Sequence, residues 1–255
     1  MLLPLLCLGV ALALQVGVNY ANDYSDGIRG TDDVRVGPVR LTASGLARPR
    51  SVKRAAFLCF GAAAVLGGVI VVITGHWWLL LVGAASILAA WYYTGGPRPY
   101  GYRGLGEVMV FLFFGLVATV GTTFVTFGSA PPASWVAATG IGALASALLV
   151  VNNLRDLATD SASGKRTLAT RLGDAGTRAF FVVLLVVGAV SVLGVMALTT
   201  PWAALGLLGF VLLFGPAARL LAGATGRDLI SMLQATSVTE LVMALGLLVG
   251  VVVGR

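Results

Sequence analysis

Charge is what this chain has least of. Only 11% of its 255 residues are charged, against about 25% in an ordinary soluble domain, too few for a normal water-facing surface. Cysteine is nearly absent. Cys7 and Cys59 sit in or at the edge of apolar runs with no histidine nearby, which excludes a disulfide scaffold and a zinc or thiolate metal centre. The single histidine, His76, precedes Trp77 and Trp78, a composition that belongs to a membrane–water interface. No Walker-type phosphate loop occurs, and no strand-like run precedes a glycine loop, so a nucleotide-binding α/β fold is excluded. The net charge is +7, but the basic residues lie in short loops between apolar runs. That distribution signals membrane topology, and no nucleic-acid partner is expected.

What the chain has instead is apolar length. Hydrophobic residues make up 58% of it and the mean hydropathy is +0.96. Runs of about 20 apolar residues, each enough to cross a bilayer, recur at about 2–22, 55–74, 77–95, 106–127, 133–154, 179–199, 202–222 and 231–253. The expected fold is therefore an all-α polytopic membrane protein, a bundle of eight visible transmembrane helices in the lipid bilayer. Loops 23–54, 96–105, 155–178 and 223–230, with Arg219 beside the last, hold every lysine and arginine except Arg255. The alternate loops, near Gly75–His76, Gly128–Ala133 and Thr199–Pro201, hold none. The basic face is expected on the cytoplasmic side of the cell membrane. The first run has no basic leader and continues unbroken into NYANDYSD, so it reads as a span and not as a cleaved signal. Eight spans put the visible N-terminus outside, and a further preceding helix is expected.

Two polar stretches carry the chemistry, both on the basic face. In the first, Gln15, Asn19, Asn22 and Asp26 form a polar stripe down the end of a helix, followed by Asp23, Asp32 and Asp33 among glycines. In the second, NNLRDLATDSASGKRTLATRLG (152–173), Asn152, Asp156 and Asp160 recur at i, i+4 and i+8, which stacks three oxygen ligands on one helical face. The pair Asn22-x-x-x-Asp26 recurs as Asn152-x-x-x-Asp156, so residues 1–255 are expected to form one transmembrane domain of two pseudo-repeated halves. Acids at a membrane mouth default to a functional reading, although Asp33, Asp174 and Asp228 also suit a role of neutralising loop arginines. Oxygen-only ligands favour Mg²⁺, which is usually held by one or two carboxylates together with substrate phosphates. Lys165, Arg166 and Arg171 follow at once, and Arg29 and Arg155 stand beside the acids. Arginine suits bidentate contact with phosphate oxygens. Glu107 and Glu240 lie in or at the edge of spans, as acid/base groups or as hydrogen-bonded structural acids; for Glu240, with Thr236, Ser237 and Thr239 beside it, the structural role is favoured.

NDYSDGIRGTDD (22–33) and NNLRDLATDSASGKRTLATRLG (152–173) resemble the two Asp-rich motifs of the UbiA superfamily of intramembrane prenyltransferases. YTGGPRPYGYRGLGE (93–107) and RVGPVRLTASGLARPRSV (35–52) are similar to the branch that prenylates 1,4-dihydroxy-2-naphthoate on the way to menaquinone. The resemblance spans essentially the whole chain. It implies nine helices with both motifs at a cytoplasm-facing cavity, of which eight are visible here. It further implies a polyprenyl diphosphate donor, 1,4-dihydroxy-2-naphthoate as acceptor, and loss of CO2 and pyrophosphate. The implied metal ligands are Asn22, Asp26, Asn152, Asp156 and Asp160, with Asp26, Asp156 and Asp160 central to catalysis. Where many members carry a third acid this chain has Gly30, and Asp32 is expected in its place. Arg29, Arg155, Lys165 and Arg166 are expected to hold the diphosphate. Tyr92, Tyr93, Tyr100 and Tyr102 are candidates for the acceptor pocket or for an interfacial belt, and Arg98 or Arg103 for the acceptor's carboxylate. Competing readings are another aromatic acceptor within the superfamily, an inverted-repeat transporter with polar groups near the bilayer midplane, and a non-catalytic lipid-binding scaffold.

Overall fold

The computed structural model describes residues 1–31 and 39–254. Its elements run in the order α1 (Leu2–Gly27), α2 (Pro49–Thr74), α3 (Leu79–Tyr92), a 3₁₀ turn at Tyr100–Arg103, α4 (Gly106–Phe127), α5 (Pro132–Arg155), α6 (Leu157–Ala162), α7 (Leu168–Leu198), α8 (Pro201–Val211), α9 (Phe214–Leu221) and α10 (Leu229–Val253). No strand occurs among the described residues. The chain is an all-helical, multi-pass membrane protein. Among the described residues six helices are long and apolar enough to cross a bilayer, and α8 with α9, bent by 50°, makes a seventh if the pair is one span. The expected eighth span differs: α3 has 14 residues, a rise of about 21 Å against a hydrocarbon core of about 30 Å.

Helix starts also depart from the hydropathy boundaries, for local reasons. Pro49 occupies the first turn of α2 behind an extended Arg48, the position where its missing N–H is harmless, so α2 carries Arg50, Lys53 and Arg54 on its first turns. The stretch expected as loop up to residue 178 is already helical from Leu168, where Thr167 caps α7 by accepting from the Thr170 amide at 3.3 Å. At Gly173 (φ 69°, ψ 179°) α7 kinks, a conformation open essentially to glycine.

α5 is the most enclosed span and packs against α4, α7 and α10. Lipid tails supply no hydrophobic force between helices, so close contact of small residues decides the packing. A Cβ on Gly115 of α4 would lie 2.6 Å from the Gly142 Cα of α5, and one on Gly250 of α10 would lie 2.2 Å from the Trp202 carbonyl oxygen. A Cβ on Gly61, Gly67, Gly68 or Gly83 would meet nothing within 4 Å, so these glycines take no part in such close contact. Leu144, Val151, Phe181 and Met243 are fully buried, whereas Leu58, Val65, Val72 and Leu81 are exposed on the outer face. Buried Arg178 ties the basic end together. It chelates Asp174 at 2.6 and 2.8 Å and donates to the carbonyls of Leu220, in the last turn of α9, and Ala224, just beyond it.

Candidate active site

The last turns of α1 and the junction of α5 with α6 meet at one polar pocket, closed over by two loops. On α1, Asn22 and Asp26 line it, and Asp23, one residue round, does not. Both Asp23 carboxylate oxygens accept backbone N–H groups, from Leu41 and Thr42 at 2.8 Å each. Charge-assisted bonds of this kind contribute about 1.5–3 kcal/mol each. Gly27 lets the same loop lie flat on the helix, because a Cβ there would come within 2.6 Å of the Thr42 side chain. The loop thus folds back onto α1, and Arg40 becomes part of the pocket wall. Asp32 lies outside the described residues.

The second motif arrives broken. α5 ends at Arg155 and α6 starts at Leu157, with Asp156 at the joint (φ −94°, ψ 7°). Backbone bonds Asp156 N to Asn152 O (3.2 Å) and Asp160 N to Asp156 O (2.8 Å) keep the helical register. Asn152, Asp156 and Asp160 therefore all line the pocket, as their spacing requires. After α6 the chain doubles back, the Lys165 amide donating to the Asp160 carbonyl at 3.0 Å. This turn places the Lys165 ammonium 3.7 Å from Asp160 Oδ1 and 3.8 Å from Asp26 Oδ2. One cation thus joins the two motifs, 134 residues apart between Asp26 and Asp160. Burial pushes the Asp160 carboxyl up to about 6, opposed by Lys165 and reinforced by the charges of Asp156 and Asp26.

Tyr102 is the pivot of the loop between α3 and α4. Its hydroxyl donates to Asp26, its ring lies 4.7 Å from the Lys165 ammonium and 5.5 Å from the Arg29 guanidinium, and its carbonyl accepts from the Arg166 amide at 3.1 Å. Burial and the Asp26 charge raise the Tyr102 hydroxyl well above the usual phenol range. Tyr93 also lines the pocket, its ring pressed against Gly101 and Gly106. Tyr100 and Tyr92 do not: Tyr100 donates to the Ala89 carbonyl at 2.9 Å and tilts against Tyr93, and Tyr92 is exposed.

The arginines divide. Arg29 donates to the carbonyls of Thr94 and Gly96, and Thr94 in turn donates to Asn22 Oδ1 at 2.8 Å. Arg29 therefore fastens the α3–α4 loop and does not line the pocket. The Arg155 side chain is 2% exposed and grips Asp156 through two bonds of 2.6 and 2.7 Å. Arg98 and Arg103 are exposed and outside the pocket. Lys165, Arg166 and Arg171 line an adjoining open recess of about 730 Å³, with Lys165 shared between it and the acid pocket of about 90 Å³. Among the pocket residues that sequence reasoning missed are Arg40 and Asn153, with Thr31, Thr94, Gly101, Thr159 and Thr167. The only signals were Arg40's place in the RVGPVRL stretch and the doubling of asparagine at 152–153.

The donor set suits a hard divalent cation. The facing side chains offer carboxylate and amide oxygens, and the Lys165 ammonium, seated between Asp26 and Asp160, marks where positive charge is accommodated. Among the described residues no group of three or more acid, histidine or cysteine side chains is placed to hold a metal ion by itself. Magnesium usually takes part of its shell from water and substrate phosphates.

The profile of the UbiA prenyltransferase family matches residues 1–253. The chain belongs to the UbiA prenyltransferase family. Within it, the chain is 48% identical over 244 residues to the 1,4-dihydroxy-2-naphthoate octaprenyltransferase of Mycobacterium tuberculosis, covering 94% of this chain and 82% of that one. It is 47% identical over 241 residues to the Mycobacterium leprae protein of the same name, covering 94% and 81%. To the Escherichia coli protein of that name it is 35% identical over 190 residues, 72% of this chain and 62% of that relative. The pocket therefore lies in a UbiA-family bundle, at the ends of helices that carry this chain's two acidic stretches.

Proposed function

We propose that this protein transfers a polyprenyl group from an allylic diphosphate to 1,4-dihydroxy-2-naphthoate, with loss of pyrophosphate and CO2, in menaquinone synthesis. The observation that carries the reading is the Lys165 ammonium seated between Asp26 and Asp160. It brings the two acidic stretches and a phosphate-seeking cation to one point. The names of the relatives support the acceptor.

Asp26 and Asp160, with Asn22, Asn152 and Asp156 around them, would hold Mg²⁺. When bound, the ion neutralises the negative charge that grows on a departing diphosphate. The chain's own residues supply the rest. Lys165 and Arg166, reached through the open recess, hold phosphate oxygens, and Arg40 adds a third cation from the pocket wall. As the allylic C–O bond breaks, the rings of Tyr93 and Tyr102 face the carbocation, an arrangement favourable to positive charge. Enclosure by the α3–α4 loop keeps water from capturing it. The acceptor ring attacks the cation, a C–C bond forms, and CO2 leaves with its bonding electrons returned to the ring. The prenyl tail leaves between the helices towards lipid. The lysine- and arginine-rich loops support a cytoplasmic orientation of this face in the cell membrane.

The test is a product assay with purified protein, Mg²⁺, labelled polyprenyl diphosphate and a panel of dihydroxynaphthoate, 4-hydroxybenzoate and haem. Prenylated product from dihydroxynaphthoate alone is expected. Product from another acceptor, or metal-dependent uptake into vesicles without any product, would overturn the assignment.

A further inference from the structure

Behind the pocket wall lies a carboxylate that the chemistry above does not use. Glu107, in the first turn of α4, is 4% exposed. An acid so deeply placed in a membrane bundle is costly to hold without a purpose. Its Oε1 accepts from the Asn153 side-chain amide at 2.9 Å, and the Ser146 hydroxyl donates to its backbone carbonyl at 3.1 Å, so α4 is pinned to α5 at this level. Its Oε2 is buried and has no hydrogen-bond partner among the described residues. Asn153 lines the pocket beside Asn152, whereas Glu107 stands one layer back.

An amide whose N–H₂ group is claimed on one side has its carbonyl oxygen turned to the other, because the two ends of the amide point oppositely and cannot exchange without losing the bond. Among the described residues no donor reaches Asn153 Oδ1. Of the hydroxyls that line the same pocket, those of Tyr102, Thr31, Thr159 and Thr94 are spent on the Asp26 carboxylate, the Asp26 carbonyl, the Asp156 carbonyl and Asn22, and Tyr93 and Thr167 line it as well. A hydroxyl-bearing aromatic ring can supply the O–H donor that Asn153 Oδ1 lacks.

We infer that Glu107 is a positioning residue for the acceptor: its grip on the Asn153 amide presents Asn153 Oδ1 to the pocket as the hydrogen-bond acceptor for a phenolic hydroxyl of the acceptor ring. The inference rests on the proposed hydroxy-aromatic acceptor and deepens it by assigning the residue that reads the hydroxyl. Asn153 makes the contact, and Glu107 acts only through it. Neither lines the open recess, although Asn153 shares the acid pocket with Lys165, so their loss should fall chiefly on the acceptor.

The experiment measures equilibrium binding of dihydroxynaphthoate, and separate KM values for acceptor and donor, in wild type, Glu107→Leu, Glu107→Gln and Asn153→Ala. Glu107→Leu and Asn153→Ala should each weaken the acceptor about tenfold, the worth of one buried hydrogen bond, with donor KM little changed. Glu107→Gln retains an acceptor oxygen for Asn153 and should recover most of the loss. A loss in Glu107→Gln equal to that in Glu107→Leu, or donor and acceptor KM rising together, would overturn the assignment. If Glu107→Leu does not fold, the comparison of dihydroxynaphthoate with an analogue lacking one hydroxyl decides. Removing the hydroxyl should cost wild type about tenfold and Asn153→Ala little, and an equal cost in both overturns the contact. Failure of wild type to bind dihydroxynaphthoate at all would instead defeat the proposed function, a separate result.

Discussion

Replacing Asp160 with asparagine should make this protein more stable while making it inactive. Asp160 is 8% exposed, and its carboxyl is raised from 3.8 to about 6 by burial, even with Lys165 beside it. The folded state therefore holds the proton more tightly than the unfolded chain does. The stability this confers is fully present below about pH 4 and is lost as pH rises through 6. Keeping the group ionised at pH 7.5 costs about 3 kcal/mol. An asparagine has nearly the shape of the protonated acid and no charge to bury. Asp160→Asn should therefore gain up to about 3 kcal/mol at pH 7.5, or roughly 6–12 °C in Tm for a chain of this length. At pH 4, where wild type is itself protonated, the gain should shrink below about 1 kcal/mol. Thermal unfolding in detergent at the two pH values, with prenyl transfer measured in parallel, is the assay. A variant no more stable than wild type at pH 7.5, or a gain independent of pH, would refute the reasoning that the site holds its charge against the fold. The same displacement should make the apparent Mg²⁺ affinity of the metal-free protein fall as pH drops through about 6, as Asp160 takes up a proton.

Other substitutions probe neighbouring parts of the site. Asp156→Asn should abolish product formation while leaving a folded membrane protein, checked by size-exclusion profile and turnover; unchanged turnover would contradict a role at the substrate. Arg166→Ala should raise the donor KM by about tenfold or more and leave the acceptor KM alone, as loss of a charge-assisted phosphate contact predicts, and a normal donor KM would exclude it as a phosphate clamp. Arg178→Ala should lower stability by about 1–3 kcal/mol, since it strips two bonds to Asp174 within α7 and two to the carbonyls of Leu220 and Ala224 at the end of α9; the lower part of that range reflects the half-exposed Asp174 partner. Chelation with EDTA should stop turnover, and added Mg²⁺ should restore it.

The large divisions of this fold were legible because a bilayer imposes them. Runs of about 20 apolar residues have few alternatives to spanning, and the alternation of basic loops assigned Asp26 and Asp160 to one face before any contact was known. The helical spacing of Asn152, Asp156 and Asp160 survived even though α5 stops at Arg155, because backbone bonds carry the register through the joint. What stayed hidden depended on loops folding back. Asp23 looked like another site acid, yet its carboxylate is occupied by the amides of Leu41 and Thr42. Arg40 reaches the pocket only because of that clamp. Of four tyrosines in the stretch 92–102, Tyr93 and Tyr102 line the pocket and Tyr92 and Tyr100 do not. The reversal of chain direction after α3 sets that choice, and composition carries no trace of it. Glu240 was read with Thr236, Ser237 and Thr239 as local partners, but those hydroxyls bond the carbonyls of Met232, Leu233 and Gly209 instead.

The central claim is that both acidic helix ends grip one diphosphate, and a double-mutant cycle reads that sharing directly. Affinity for an unreactive allylic thiolodiphosphate with Mg²⁺ is measured in wild type, Asp26→Asn, Asp160→Asn and the pair. Two groups holding one ligand should show a coupling of about 1 kcal/mol or more, the double variant losing clearly less than the sum of the single losses. Strictly additive losses, or full affinity in either single variant, would contradict the account.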